Sequence, residues 1–386
     1  MTQEPKPPSW RKRAARSPWL APFLSLKVQV VCLFLLFVLV GWGTLDQAQH
    51  GLYAAQQRFF FSWVLFAGGW FPFPGAKLLL WILGLNLTAT LVFRFAYTWS
   101  RLGLWLVHIG LLVLIAGAGI THAAGDEGFL TLAEGEGSDR LSRPRGWELS
   151  IWQKHPGAEV SREVRVTPWS DLRAGGLLTL PDGRTLRLVQ KYDSAEPFID
   201  PAATNDMVSP LGATAVQTRA RAMDPSEDTP ALLLEEVADR RGSGEGARLL
   251  LSALDPNPLY LAAGEAPICL SLRRETLALP AVLTLRRFIK EEHPGTDMAR
   301  RFASRVTVET RGVARDTVIS MNDPLRLGDW TFYQSGFQME AGRKASVFAV
   351  TRNGGRILPY VATLLVFAGL VLHFGISVFS RLRRSS

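Results

Sequence analysis

Apolar and polar positions are organised on two scales along this chain. On the coarse scale, four apolar runs stand out at 28–45, 78–93, 102–120 and 357–379. A bilayer core of about 30 Å is crossed by about 20 apolar residues in a helix, so each run predicts a transmembrane span. The second is short, and the apolar stretch 70–76 before it can lengthen it. We expect spans at 28–45, 77–94, 102–121 and 357–380, with an interfacial loop at 46–76 and a short loop at 95–101. Tails at 1–27 and 381–386 flank them, and a large domain at 122–356 fills the gap before the closing span.

On the fine scale, that domain reads as mainly β. Short runs at 185–189, 248–254, 268–272, 281–285, 305–309, 330–334 and 346–350 are rich in Val, Leu, Phe and Thr. Turn residues such as Asp255-Pro256-Asn257-Pro258 and Arg352-Asn353-Gly354-Gly355 separate them. Spaced short strands with Gly, Pro and Asn punctuation predict a sandwich or barrel. The segment 194–229 is less regular and reads as an extended loop or an edge element, and 224–227 and 240–245 read as loops. The fold class expected is a membrane protein of four helices, three plus one, with a β-rich domain between the third and fourth.

Charge sets the expected topology. Lys6, Arg11, Lys12, Arg13, Arg16, Lys27, Arg94, Arg101, Arg381, Arg383 and Arg384 lie in the tails and the short loop, against one acid there, Glu4. The rest of the chain holds 32 basic and 33 acidic residues, so the net +9 belongs to the span flanks. Basic residues in short flanks stay cytoplasmic. Both termini and the 95–101 loop are therefore expected in the cytoplasm, and 122–356 on the opposite face. The same partition argues against nucleic acid as a partner despite a pI near 9.9, because the folded domain carries no basic excess. The first run exceeds a signal-peptide core and has no small-x-small cleavage site after it, which predicts an uncleaved anchor.

Eight of the 12 tryptophans fall in residues 1–105, and the aromatic stretch 59–75 reads as lipid-contacting. Cys32 lies in a span and Cys269 in the large domain, so no internal disulfide is expected. Neither Cys-x-x-Cys nor Cys-x-x-Cys-His occurs, which excludes a thiol–disulfide enzyme and a c-type cytochrome. No Ser/His/Asp or His/Glu metal spacing points to a hydrolase.

Two of the six histidines, His108 and His373, lie inside spans. An ionisable side chain there is costly and faces the protein interior or a polar path. His108 follows Arg101 by seven residues and His373 precedes Arg381 by eight, which predicts nearly equal depth. Neutral imidazole is an axial ligand for haem iron. The competing reading is a histidine hydrogen-bonded across a helix contact. Gly103, Gly110 and Gly117 recur every seven residues as a small-residue seam, and His108 points away from it by about 140–180°. His122, just beyond the third span, is a weaker site for a ligand, and His50, His155 and His293 read as surface residues.

The run Ser320-Met321-Asn322-Asp323-Pro324-Leu325, followed by Gly328-Asp329-Trp330-Thr331-Phe332-Tyr333-Gln334-Ser335, resembles a signature of the ResB (CcsB) family of System II cytochrome c biogenesis proteins. Ser346-Val347-Phe348, Leu285-Arg286-Arg287-Phe288-Ile289, His293-Pro294-Gly295 and Phe302-Ala303-Ser304 extend the resemblance, as do the three-plus-one layout and the third span with His108. Read physically, Asn322-Asp323-Pro324 is a turn and 331–334 a strand, and no catalysis is assigned to them.

The resemblance implies a bacterial inner-membrane subunit that carries or holds haem b as transient cargo and presents it to apocytochrome c. Attachment would occur on a CcsA (ResC)-type partner, with thioredoxin-like thiol-reducing proteins as further partners. It implies His108 as the axial iron ligand and gives His373 no family role, although both are expected as cofactor-binding residues. It also implies a non-catalytic subunit of the holocytochrome c synthase complex. The alternative is a scaffold or apocytochrome chaperone that anchors the partner without binding haem.

Overall fold

The apolar runs fold as helices. The computed structural model describes residues 17, 20–95, 98–153, 162–202, 207–237, 247–255, 257–262, 266–295, 299–340 and 343–385. Among the described residues four helices, counted with their terminal turns, are long and apolar enough to cross a membrane. They are α1 (Leu26–Ala55), α2 (Ala76–Ala89), α3 (Leu102–Ala124) and α4 (Leu358–Ser385). Single π-helical turns, Gln56–Phe60 and Thr90–Arg94, extend α1 and α2. The basic residues before Ser17, His155 and the 240–245 segment lie outside the described residues.

Two compact units form. The first holds Met1–Asp126, Gly328–Trp330 and Thr351–Ser386; the second holds Glu127–Leu327 and Thr331–Val350.

In the first unit α1 continues well past Leu45. Gly51 adopts φ 78°, a conformation open to glycine, and the helix doubles back there. Phe59 returns to the Trp42 ring at 5.1 Å, and Arg58 Nη1 donates to Asp46 Oδ1 at 3.3 Å. A hairpin follows, Val64–Ala67 against Phe71–Pro74, turned by Gly68 and Gly69 at positive φ. Its Trp63, Phe66, Trp70 and Phe71 rings are exposed. Asn86 fastens α2 to the start of α1. It is 1% exposed, and its Nδ2 donates to the Ser25 carbonyl at 3.1 Å.

The seam on α3 meets α4. A Cβ on Gly103 would sit 2.5 Å from both Gly369 O and His373 N, one on Gly110 2.7 Å from Val366 Cγ2, and one on Gly117 2.9 Å from Leu358 Cβ. Small residues let two backbones close on each other where apolar burial alone gives no preference in lipid.

The second unit is β. One large sheet runs in the order Val313–Ser320, Ala299–Thr310, Ile268–Glu292, Gly137–Gln153, Asp126–Ala133, Arg343–Arg352, Trp330–Glu340 and Leu325–Leu327. A five-stranded sheet containing Thr185–Tyr192, Ala231–Glu236 and Arg248–Ser252 covers part of it. Leu186, Leu188, Leu232, Leu234, Leu249 and Leu251 from the smaller sheet share a core with Leu149, Ile151 and Ile268–Leu272 positions of the larger. The large sheet also curls onto itself. Ser304 Oγ reaches Gln334 Oε1 at 2.6 Å and Ser346 Oγ at 2.5 Å from a strand several places away in the order. Within 194–229, Ala195–Phe198 and Ala215–Thr218 pair as a small hairpin, and 225–227 forms a 3₁₀ turn. Cys32 and Cys269 are both buried, and neither is in a disulfide.

Candidate functional site

His108 sits on α3 with its back to the glycine seam. Its Nδ1 lies 2.7 Å from the Leu104 carbonyl oxygen, one turn earlier. That carbonyl places the imidazole proton on Nδ1 and leaves the Nε2 lone pair available, the arrangement that orients ligating histidines. Phe95 flanks the ring at 5.1 Å and also meets Trp105 edge-on at 6.4 Å. Trp105 precedes His108 by three residues, so the two share one helix face. Below them Thr98, Trp99, Leu102 and Trp105 line an open cleft of ≈ 250 Å³. Small-molecule sites that enclose a ligand span about 300–1,000 Å³. The cleft is one aromatic wall, and a planar ligand against it needs a second wall from elsewhere.

His373 is placed differently. Its backbone, not its ring, closes on Gly103. Its ring neighbours Phe374 at 5.5 Å, and its Nδ1 is buried with no hydrogen-bond partner among the described residues. An imidazole that ligates through Nε2 needs an acceptor for Nδ1–H, and His373 shows none.

The expectation of equal depth does not hold. His373 is level with Gly103, and His108 lies five residues further along α3, about 7–8 Å away on the axis. The basic residues misled because they are not flush: α4 runs on through Arg381 to Ser385, well past the level of Gly103. The glycine seam also holds α3 and α4 in backbone contact. A porphyrin cannot enter between them, so these two imidazoles do not face one another across that contact.

Among the described residues no group of three or more His, Cys, Asp or Glu side chains is placed to hold a bare metal ion. A haem would ask one imidazole and an apolar wall of the protein; His108 would be the imidazole, with Phe95 against its ring and Trp105 meeting Phe95.

The Gly328-Asp329-Trp330 part of the signature run belongs to the helical unit. Asn353 N donates to Asp329 O at 3.0 Å. Asn353 Oδ1 accepts from Thr121 Oγ1 at 3.1 Å and Gly355 N at 2.9 Å, tying that turn to the end of α3 and the start of α4. Arg352 lies 5.7 Å over the Trp330 ring and 3.6 Å from Asp126. Arg352-Asn353-Gly354-Gly355 was readable as a turn in the sequence, but not its tie to Asp329 and Thr121. Phe95 and Asn86 were also missed; a lone Asn within the apolar run was the available signal for the second.

Four long apolar helices among the described residues, with a β unit inserted in the chain ahead of the last, define the class: a candidate multi-span membrane protein with one large folded domain. Within that class, residues 268–357 match the ResB-like family, so this segment is ResB-like. The match covers the strands from Ile268 to Arg352 and stops at the threshold of α4; it contains neither His108 nor His373. The chain is also similar to Protein NrfI of Wolinella succinogenes, 23% identical over 296 residues, which are 76% of this chain. It spans 29% of the length of that relative.

Proposed function

We propose that this chain is a haem-handling subunit of a membrane complex for cytochrome c maturation. The reading rests on one observation above the others: an imidazole inside an apolar helix of span length, its Nδ1 held by the Leu104 carbonyl and its ring flanked by Phe95. The ResB-like segment supplies the pathway. The basic flanks favour an orientation with the His108 end of α3 near the cytoplasm and the β unit outside a bacterial inner membrane. Haem b is then the cargo. His108 binds its iron, and Trp99, Leu102 and Trp105 pack on its face. The second wall and the opposite ligand come from a CcsA (ResC)-type partner. The β unit meets apocytochrome c, and the thioether bonds form on the partner. Thiol-reducing thioredoxin-like proteins keep the apocytochrome cysteines ready. His373 serves the α3–α4 contact rather than iron.

The test is the absorption spectrum of the co-purified complex. His108→Ala is expected to remove the bound haem, and His373→Ala to leave it. Haem retained in His108→Ala, with apocytochrome binding intact, would favour the scaffold reading instead.

A further inference from the structure

The outermost strand of the large sheet is open along one side. Val313–Ser320 pairs with Ala299–Thr310 and, among the described residues, with no other strand. Only Ser320 turns back, in a bridge to Asp323. In an antiparallel pair alternate residues aim their N–H and C=O groups away from the partner, so 313–319 offers a row of unmade backbone hydrogen bonds.

Arginines gather on the face beside this edge. Ile268–Glu292 bulges against Ala299–Thr310: Leu285 lies opposite Val306 and Arg287 opposite Arg305, which leaves Arg286 as the extra residue. Arg286 is already compensated. Its Nε donates to Thr307 Oγ1 at 2.7 Å, and Thr307 Oγ1 donates to Asp316 Oδ1 at 2.6 Å. Arg287 and Arg305 are exposed, and neither side chain has an ion pair or hydrogen bond among the described residues. Like charges directly opposite on neighbouring strands repel, and a carboxylate between them would relieve that. An open hollow of ≈ 150 Å³ adjoins the pair, lined by Ile289, Glu291, Arg301, Ala303 and Val318. Register fixes its place: Ile289 lies opposite Ala303, two residues along from the arginine pair, and Val318 lies opposite Arg305.

We propose that this edge takes an extended peptide segment of a partner protein, one carrying a carboxylate two residues from an apolar side chain. The segment adds as a strand along 313–319, and its alternate side chains fall on the arginine face. The apolar side chain enters the hollow against Val318 and Ile289, and the carboxylate meets Arg305 and Arg287. An added strand lies two strand spacings, about 10 Å, from Ala299–Thr310, which an arginine and a glutamate close between them. Asp316 stands on the same face and repels an acid directly opposite it, which selects the register. A free anion or a lipid headgroup would use the arginines alone and leave the backbone edge and the hollow empty. The inference is independent of the assignment of iron to His108.

The full chain in phosphatidylcholine nanodiscs tests this with a fluorescent, acetylated octapeptide of alternating valine and glutamate. Binding should raise the anisotropy, slow amide exchange within Val313–Ser320, and weaken as salt is added. Arg287→Gln combined with Arg305→Gln should weaken it about tenfold, as expected for two exposed ion pairs. A valine–lysine peptide should not bind. Of two peptides N-methylated at alternate residues, one should lose binding and the other keep it, because only one row of N–H groups faces the edge. Undiminished binding to the arginine double variant, or equal binding by the two methylated peptides, overturns the proposal. Displacement of the peptide by inorganic phosphate or phosphatidylglycerol vesicles, with exchange at 313–320 unchanged throughout, reduces the site to an anion patch and overturns it too. Dimerisation of the chain that the double variant abolishes would assign the edge to a second copy instead.

Discussion

Replacing Ser304 by alanine should damage the ResB-like strands more than replacing its hydroxyl neighbour Ser346, although both are fully buried. Ser304 has one proton, and it goes to Gln334 Oε1 at 2.6 Å. The 2.5 Å contact between the two serines must therefore be donated by Ser346. Gln334 Nε2 is spent on the Gly336 carbonyl at 2.9 Å. Ser304→Ala thus strands two groups at once, the Gln334 carbonyl and the Ser346 proton. Each buried polar group left unmade costs about 1–3 kcal/mol, less whatever Ser346 regains by rotating, so we expect about 2–3 kcal/mol. Ser346→Ala removes only a second acceptance by Ser304, and about 1 kcal/mol is expected. Native-state hydrogen exchange of the amides in Ala299–Thr310 reads these as opening free energies without requiring the whole chain to unfold in one step. The double variant should cost less than the sum, because the serine–serine bond is then counted once. Equal and additive effects of the two substitutions would refute this proton order, and unchanged exchange in Ser304→Ala would refute the buried network itself.

Gly103→Ala should loosen α3 from α4 by about 1–3 kcal/mol, since its methyl meets backbone that cannot give way. Gly119→Ala, on the same helix with nothing within 4 Å, should leave the thermal midpoint in detergent unchanged. Asp224 is held at about 2, chiefly by its hydrogen bonds with Arg145, with burial opposing. Its folded pKa lies below the ordinary 3.8. Its contribution is therefore present above that value and disappears as pH falls towards 2. Asp224 is about one-third exposed, so screening reduces the contribution to about 1 kcal/mol. Asp224→Asn should flatten the stability of the β unit between about pH 4 and 2 and leave its slope above pH 6 unaltered.

Much of the architecture was legible because lipid simplifies the code. An apolar run of span length leaves the backbone no option but a helix, and the seven-residue glycine spacing identified the face on which α4 packs. The β unit was legible in its strands but not in their lengths. Runs at 268–272 and 281–285 look separate, yet they are parts of one strand, Ile268–Glu292. Its polar middle stays in the sheet because Arg273 Nε donates to the buried Glu148 carboxylate at 2.9 Å, and Thr276 donates to it as well. Cross-strand partners of that kind are invisible in one strand's pattern. The return of α1 at Gly51 was hidden for another reason: residues 46–60 carry Asp46, His50 and Arg58, and polarity reads as loop until those side chains are seen to pair with one another. His108 was readable as a histidine inside an apolar run of span length. Its orientation was not, because Leu104 contributes only a backbone carbonyl, and Phe95 comes from a neighbouring segment.

The most direct measurement removes the His108 imidazole and then returns it. His108→Gly in the full chain, purified with its partner, should lose the haem absorption band and regain it when imidazole is added at millimolar concentration, with His373→Gly unaffected throughout. A His108→Gly complex that keeps its haem band without added imidazole would contradict the assignment of iron to this residue.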